Sequence, residues 1–126
     1  MTSVEPDLGG TRVLVTGGTS GLGRAMAQAL ADAGARVALT SRERSRADAV
    51  AAELGERATG IALDVRDESS VCAAVDEAYE RLGGLDVLVN NAGIGMRTVN
   101  PRFLVEPQPF WDVARPTASA TCSRRR

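Results

Sequence analysis

A glycine-rich octapeptide, Thr16-Gly17-Gly18-Thr19-Ser20-Gly21-Leu22-Gly23, separates a β-branched run from a segment of helical period. Nothing else in the chain restricts the fold as much. In such a turn Gly17 permits the tight reversal, Gly21 lets backbone approach a pyrophosphate, and Gly23 allows a helix to pack close to a strand. The helix that follows offers unpaired N–H groups and the positive end of its dipole to an anion. A glycine turn without a ligand is the other reading. The strand-then-helix context favours the phosphate loop.

The residues on either side alternate in period. Arg12–Thr16 reads as a buried strand, and Leu22, Ala25, Met26, Ala29, Leu30 and Ala33 recur at helical spacing up to Gly34. Arg36–Thr40 is a second strand, followed by a helix with Ala47, Val50, Ala51 and Leu54 on one face and Gly55 after it. Thr59–Leu63 is a third strand. Asp67 is placed to cap a third helix with Val71, Val75, Ala78, Tyr79 and Leu82 on its core side. Gly83-Gly84 ends that helix, and Leu85–Val89 is a fourth strand. Strands alternating with single helices imply right-handed crossovers and a parallel sheet. The expected fold class is α/β, a Rossmann-type doubly wound sheet of order 3-2-1-4, truncated after the fourth strand. Residues 1–10 form an N-terminal extension, 11–95 a dinucleotide-binding half-domain, 96–114 a loop and the start of a fourth helix, and 115–126 an aberrant tail.

Composition removes several chemistries. The 126 residues suffice for one domain, and 25% charged with 44% hydrophobic is ordinary globular usage. There is no His, which excludes a Ser-His-Asp triad and a His metal site, so no metal is expected. All 15 basic residues are Arg, which excludes a phosphate-loop lysine and a Schiff-base lysine. A net charge of −1 gives no bulk attraction to nucleic acid or membrane, and neither is an expected partner; the Arg124-Arg125-Arg126 run reads as a solvated end. No apolar run nears the roughly 20 residues of a span, no secretory leader is visible, and a cytoplasmic location is expected. Cys72, beside Val71 and Val75, is expected to be a buried free thiol.

With the glycine motif on the first turn and Asn90-Asn91-Ala92-Gly93 ending the fourth strand, residues 9 to 114 resemble the short-chain dehydrogenase/reductases. The resemblance implies a nicotinamide dinucleotide as partner. It places Thr19, Ser20 and Leu22 beside Gly17, Gly21 and Gly23 in the cofactor loop. Asp64 becomes the acceptor for the adenine amino group, with Val65 beside the ring, and Asn91, Ala92 and Gly93 lie along a ribose. Asp64 as a turn residue capping the next helix is the alternative. Asn90 reads as structural, tying neighbouring strands. An NAD enzyme usually has a carboxylate at the end of the second strand. Here Ser41-Arg42 stands there, with no acid before Glu43. A guanidinium binds a 2′-phosphate through paired charge-assisted hydrogen bonds, so NADP is expected over NAD and Arg42 is its determinant. Within an Arg-rich stretch, a solvated Arg42 is the competing reading.

The family's reaction uses a Tyr-x-x-x-Lys pair, a preceding Ser and an Asn on the next helix. The only tyrosine, Tyr79, precedes the fourth strand and is followed by Glu80-Arg81-Leu82-Gly83. Ser119 and Ser123 do not match the family serine, so no catalytic residue is carried over. Full-length relatives are expected to be homo-oligomers that move a hydride between NADP(H) and an alcohol or carbonyl; this chain alone is expected to be inactive. Back-translated in a neighbouring frame, Pro116 to Ser123 can spell Asp-Gly-Phe-Arg-Asp-Val-Leu, so a frameshift near Val113 to Arg115 is expected, with a natural divergent tail as the alternative. A non-catalytic NADP-binding module and a non-functional fragment are the rival readings. Ending the sheet at the fourth strand should leave an exposed apolar edge and marginal stability.

Overall fold

In a computed structural model, which describes residues 6–93, 102 and 104–106, the chain runs β1 (Arg12–Val15), α1 (Gly21–Asp32), β2 (Arg36–Ser41), α2 (Arg44–Leu54), β3 (Ala58–Ala62), α3 (Glu68–Leu82) and β4 (Val87–Val89). All pairings are parallel, in the order β3-β2-β1-β4, the doubly wound arrangement anticipated. Parallel strands buried on both faces need apolar residues at consecutive positions, and Val13, Leu14 and Val15 are almost wholly shielded from solvent. Their alternation divides the core. Val13, Val15, Val37 and Leu39 point to the side covered by α1 and α2. Leu14, Ala38, Ile61 and Leu63 meet Ala74, Ala78 and Leu82 of α3 on the other side.

The buried face of α2 is the expected one, Ala47, Val50, Ala51 and Leu54. That of α1 is not. Its buried positions are Gly23, Ala27 and Ala31, while Leu22, Ala25 and Ala29 are exposed and Met26 and Leu30 only half-buried. The helix lies so close to the sheet that only small side chains fit beneath it, which turns the bulkier residues to its flanks. On α3 the buried set is Ala74, Ala78 and Leu82, with Val71 packed alongside. Tyr79, expected in the core, is 39% exposed. Cys72 is half-buried and disulfide-bonded, not a buried free thiol. It sits one residue off the Ala74–Ala78–Leu82 stripe, about 100° around the helix from Val71, and so faces the flank.

Polar ties close the base of the sheet. The Arg12 fork donates to both carboxylate oxygens of Asp86 at 2.9 and 3.0 Å, and its third nitrogen to the Gly83 carbonyl at 2.7 Å. Arg36 donates to the carbonyls of Leu82 and Arg81 at 3.1 Å, meeting acceptors that the end of α3 leaves unpaired. At the other end of α3, Asp67 accepts from the Ser69 amide at 3.0 Å as the expected N-cap. At the β3 edge, Arg44 of α2 reaches Glu77 of α3 through two bonds of 2.6 and 3.2 Å.

The β4 edge is different. Among the described residues β4 pairs with β1 alone, and Val87 and Leu88 are 42% and 52% exposed although their partners Val13 and Leu14 are buried. Residues 102 and 104–106 form a turn in which the amides of Val105 and Glu106 donate to the Arg102 carbonyl. The remainder of the expected loop and fourth helix at 96–114, and the tail at 115–126, lie outside the described residues.

Candidate functional site

All four strands deliver their C-terminal ends to one side of the sheet, where a parallel doubly wound fold forms its ligand crevice. A cleft of about 500 Å³ opens there, within the range of small-molecule sites. Its first wall is the glycine loop, represented by Gly17, Thr19 and Ser20; its second runs from the end of β2 into α2, with Thr40 and Ser41 on the strand, Arg42 in the turn and Arg46 on the helix. Leu63, Asp64, Val65 and Arg66 after β3, and Asn91, Ala92 and Gly93 after β4, complete it.

The first wall is held by internal bonds. Gly17 has a φ of +66°, where a side chain is strained, and a Cβ there would stand 3.0 Å from the Ala92 Cα. Its amide donates to the Thr40 Oγ1 at 3.1 Å, and that of Gly18 to the Thr40 carbonyl at 3.1 Å. Thr16, 7% exposed, lies beneath the loop, and its Oγ1 accepts from the amides of Asn91 and Ala92, each at 3.1 Å. Asn91 in turn donates from Nδ2 to the Gly17 carbonyl at 3.1 Å. The end of β4 is thus bolted to the loop after β1, and Asn91, not the exposed Asn90, makes the tie expected of its neighbour.

Gly23 lies below this arrangement. A Cβ on it would run into both the Asn91 Nδ2 and the Gly17 carbonyl, so it permits the close helix packing anticipated and does not line the cleft. Gly21, with a φ of +56° and open space around it, and Leu22, 70% exposed, also stand outside the lining. The side chain of Ser20, the N-cap of α1, makes no capping bond. Amides of the first turn therefore remain available to an external acceptor, as a phosphate loop requires.

The second wall carries charge. Ser41 accepts at Oγ from the Glu43 amide at 3.3 Å, and Arg42 and Arg46 line the cleft beyond it. Asp64 is engaged: Arg66 donates to its two oxygens from Nε and Nη2 at 3.0 Å each, and again from its amide at 3.0 Å. Those bonds from Arg66 hold the Asp64 carboxyl down at about 2, with Arg42 adding a smaller electrostatic push. Asp64 is therefore a turn-forming residue after β3, although the cap of α3 is Asp67. The carboxylate remains in the cleft with lone pairs beyond those Arg66 uses.

Gly17, Thr19, Ser20, Arg42, Asp64, Val65, Asn91, Ala92 and Gly93 thus come together as anticipated from the motifs. Thr40, Ser41, Leu63, Arg46 and Arg66 join them without having been singled out as site residues. For Thr40, Ser41 and Leu63 the available signal was position, since each falls at the C-terminal end of its strand or just after it. Arg46 carried no such signal, since Arg42 precedes the helix on which Arg46 stands, whereas Arg66 follows Asp64 by two, a spacing suited to an Asx turn. Among the described residues no group of His, Cys, Asp and Glu is arranged to hold a metal, and no helix is long and apolar enough to cross a membrane.

Comparison with known proteins accords with this geometry. No curated protein matches the chain. Among solved structures, a 3-ketoacyl-(acyl-carrier-protein) reductase from Brucella melitensis complexed with NADH is 44% identical with a TM-score of 0.68, over 71% of this chain and 36% of its own. A dehydrogenase/reductase from Sinorhizobium meliloti is 48% identical with a TM-score of 0.65, over 70% and 36%. A short chain dehydrogenase from Burkholderia cenocepacia in complex with NADP is 50% identical with a TM-score of 0.64, over 69% and 37%. The matched region is thus little more than a third of each of those chains. The short chain dehydrogenase family model matches residues 11–113, and the chain belongs to that family.

Proposed function

We propose that this chain is the cofactor-binding part of an NADP-dependent short-chain dehydrogenase/reductase. The carrying observation is a single cleft that joins a glycine loop with unused helix-terminal amides to a wall bearing Arg42 in place of an acid. Gly17, Gly21 and the first turn of α1 would receive the pyrophosphate, with Thr19 and Ser20 beside it; Gly23 and Leu22 support that turn. Asp64 and Val65 would border the adenine, Arg42 would meet the ribose 2′-phosphate, and Asn91, Ala92 and Gly93 would lie along the cofactor. Relatives crystallised with NADH and NADP support a nicotinamide dinucleotide here.

When bound, the nicotinamide supplies hydride chemistry, exchanged in this family with an alcohol or carbonyl. The residues of this chain bind and orient. Tyr79 lies on α3, does not line the cleft and has no lysine after it, and the sequence has no lysine at all. Among the described residues no group lining the cleft corresponds to the family's tyrosine–lysine pair, so this part of the fold is read as binding the cofactor without itself moving a substrate's proton. The same absence favours a second reading, a non-catalytic NADP-binding module. The coding DNA separates the two: a downstream frame that encodes Tyr-x-x-x-Lys marks a reductase interrupted near Val113 to Arg115, and no such frame marks a module. Calorimetric titration tests the binding itself. NADPH should bind and NADH more weakly; no heat with NADPH, or equal affinities, would overturn the proposal.

A further inference from the structure

The two flanks of α3 differ. Its buried stripe of Ala74, Ala78 and Leu82 faces the sheet. On one side of that stripe Glu77 accepts from Arg44, and Arg81 donates to the Gly60 carbonyl at the β3 edge. At about 100° per residue, Cys72, Val75 and Tyr79 fall on the opposite side, toward β1 and β4. The helix packs mainly over β3 and β2, and no described helix crosses the β4 half of this face. Leu88 is in register with Leu14 and so turned to the α3 side, where it is 52% exposed. A shallow apolar trough results, with Leu88 on its floor and Val75 and Tyr79 along its wall.

The wall carries a covalent mark. Cys72 is disulfide-bonded, and no described cysteine is free. The sequence has one other cysteine, Cys122. Residues 117–123 around it are small and uncharged, which suits a shallow trough, and Arg124, Arg125 and Arg126 follow directly. Glu68 and Asp76, one turn either side of Cys72, are exposed acids without an ion pair among the described residues, and they complement that basic end. About 16 residues separate Glu106 from Cys122, a reach of up to about 50 Å against the roughly 15 Å across four strands.

We propose that this trough is the docking site of the chain's own residues 117–123, pinned there by a Cys72–Cys122 disulfide. The docked segment shields the α3 side of β4, as Arg44, Glu77 and Arg81 guard the β3 edge, and keeps apolar strand surface from water and from other chains. The bond closes a loop of about 50 residues that contains all of β4, so it acts largely by restricting the unfolded chain. It forms by exchange with a small-molecule disulfide: two protons and two electrons pass from the Cys72 and Cys122 thiols to that oxidant, which leaves as two thiols. A reducing compartment reverses the exchange and uncovers Leu88, so the cover follows the redox state. Nothing in this depends on the cofactor reading.

The test begins with the full 126-residue chain equilibrated in oxidised glutathione, alkylated without reduction and mapped by mass spectrometry. One linked pair holding Cys72 and Cys122 should be found, in a monomer. Reduction by a phosphine, and separately Cys122→Ser, should raise amide exchange of Val87–Val89 and of residues 72–79 about tenfold and lower the melting temperature by about 10 °C. Leu88→Gln separates docking from a slack tether. In a fixed glutathione mixture it should make the pair about threefold easier to reduce, because a docked tail holds its thiol close to Cys72. Two alkylated thiols, a disulfide joining two copies of the chain, or a link whose loss changes neither exchange nor melting would overturn the proposal. So would an oxidised fraction that Leu88→Gln leaves unchanged.

Discussion

The two walls of the cleft are built on opposite principles. On the glycine-loop side almost every polar group is satisfied within the protein: Thr16 takes two amides, Thr40 takes a third, and Asn91 closes onto the Gly17 carbonyl. On the β2–α2 side, Arg42 and Arg46 stand without ion pairs among the described residues. The first wall is a piece of architecture whose shape offers α1 amides to a ligand. The second is an uncompensated charge that a ligand completes. Substitutions should therefore separate cleanly, with the first wall showing its damage in stability and the second in selectivity.

The largest effect is expected at Gly23. An alanine Cβ would overlap Asn91 Nδ2 and the Gly17 carbonyl, and since one of these is backbone the strain cannot be relieved by a side-chain turn. Gly23→Ala should cost about 3 kcal/mol, measured by denaturant unfolding, and abolish cofactor binding. Next is Thr16→Val, which keeps the shape but takes the acceptor from the part-buried Ala92 amide and leaves the Asn91 amide only the Val89 carbonyl; about 1–2 kcal/mol should be lost. If either variant unfolds like the parent, the first wall is not the rigid element described.

On the second wall, Arg42→Ala should leave unfolding within about 0.5 kcal/mol of the parent, as for other exposed positions. The same change should weaken NADPH binding about tenfold or more and leave NADH untouched. A parallel fall in stability and selectivity would erase the distinction between the walls.

The smallest effect is on acid tolerance. The hydrogen bonds of Arg66 to Asp64 and of Arg12 to Asp86 hold each carboxyl at about 2. Both folded-state values lie below the ordinary 3.8, so the stabilisation is complete above that value and disappears as pH falls toward 2. The melting temperature should drop through this window, and Asp86→Asn should make the drop shallower. An identical acid profile in the variant would count against the Arg12–Asp86 tie.

The sequence made the sheet legible because its apolar runs are consecutive and its punctuation is glycine: Gly34, Gly55 and Gly83 each follow a helix as expected. The buried face of α1 was misjudged for a physical reason. Spacing alone leaves the phase of the stripe open: positions 22, 25, 26, 29, 30 and 33 share one face, yet the glycine turn pulls the next stripe round, Gly23, Ala27 and Ala31, against the sheet and leaves Leu22 and Ala25 outside. In the site, glycines and Asn91 could be recognised as a spaced motif. Arg46 could not, because a charged residue in an Arg-rich stretch carries no mark of whether it will find a partner, and Arg66 could be read only as an Asx-turn neighbour of Asp64. Asn90 and Asn91 were interchangeable as letters; only the geometry shows which reaches the Gly17 carbonyl.

Amide-resolved NMR titration with NADP⁺ examines both walls in one experiment. Amides of residues 17–23 and of residues 41–46 should shift together along one binding curve, with NAD⁺ moving the first set and leaving the second nearly still. Shifts confined to either wall with NADP⁺, or the same pattern with both cofactors, would contradict a single cleft that reads pyrophosphate at one end and a ribose phosphate at the other.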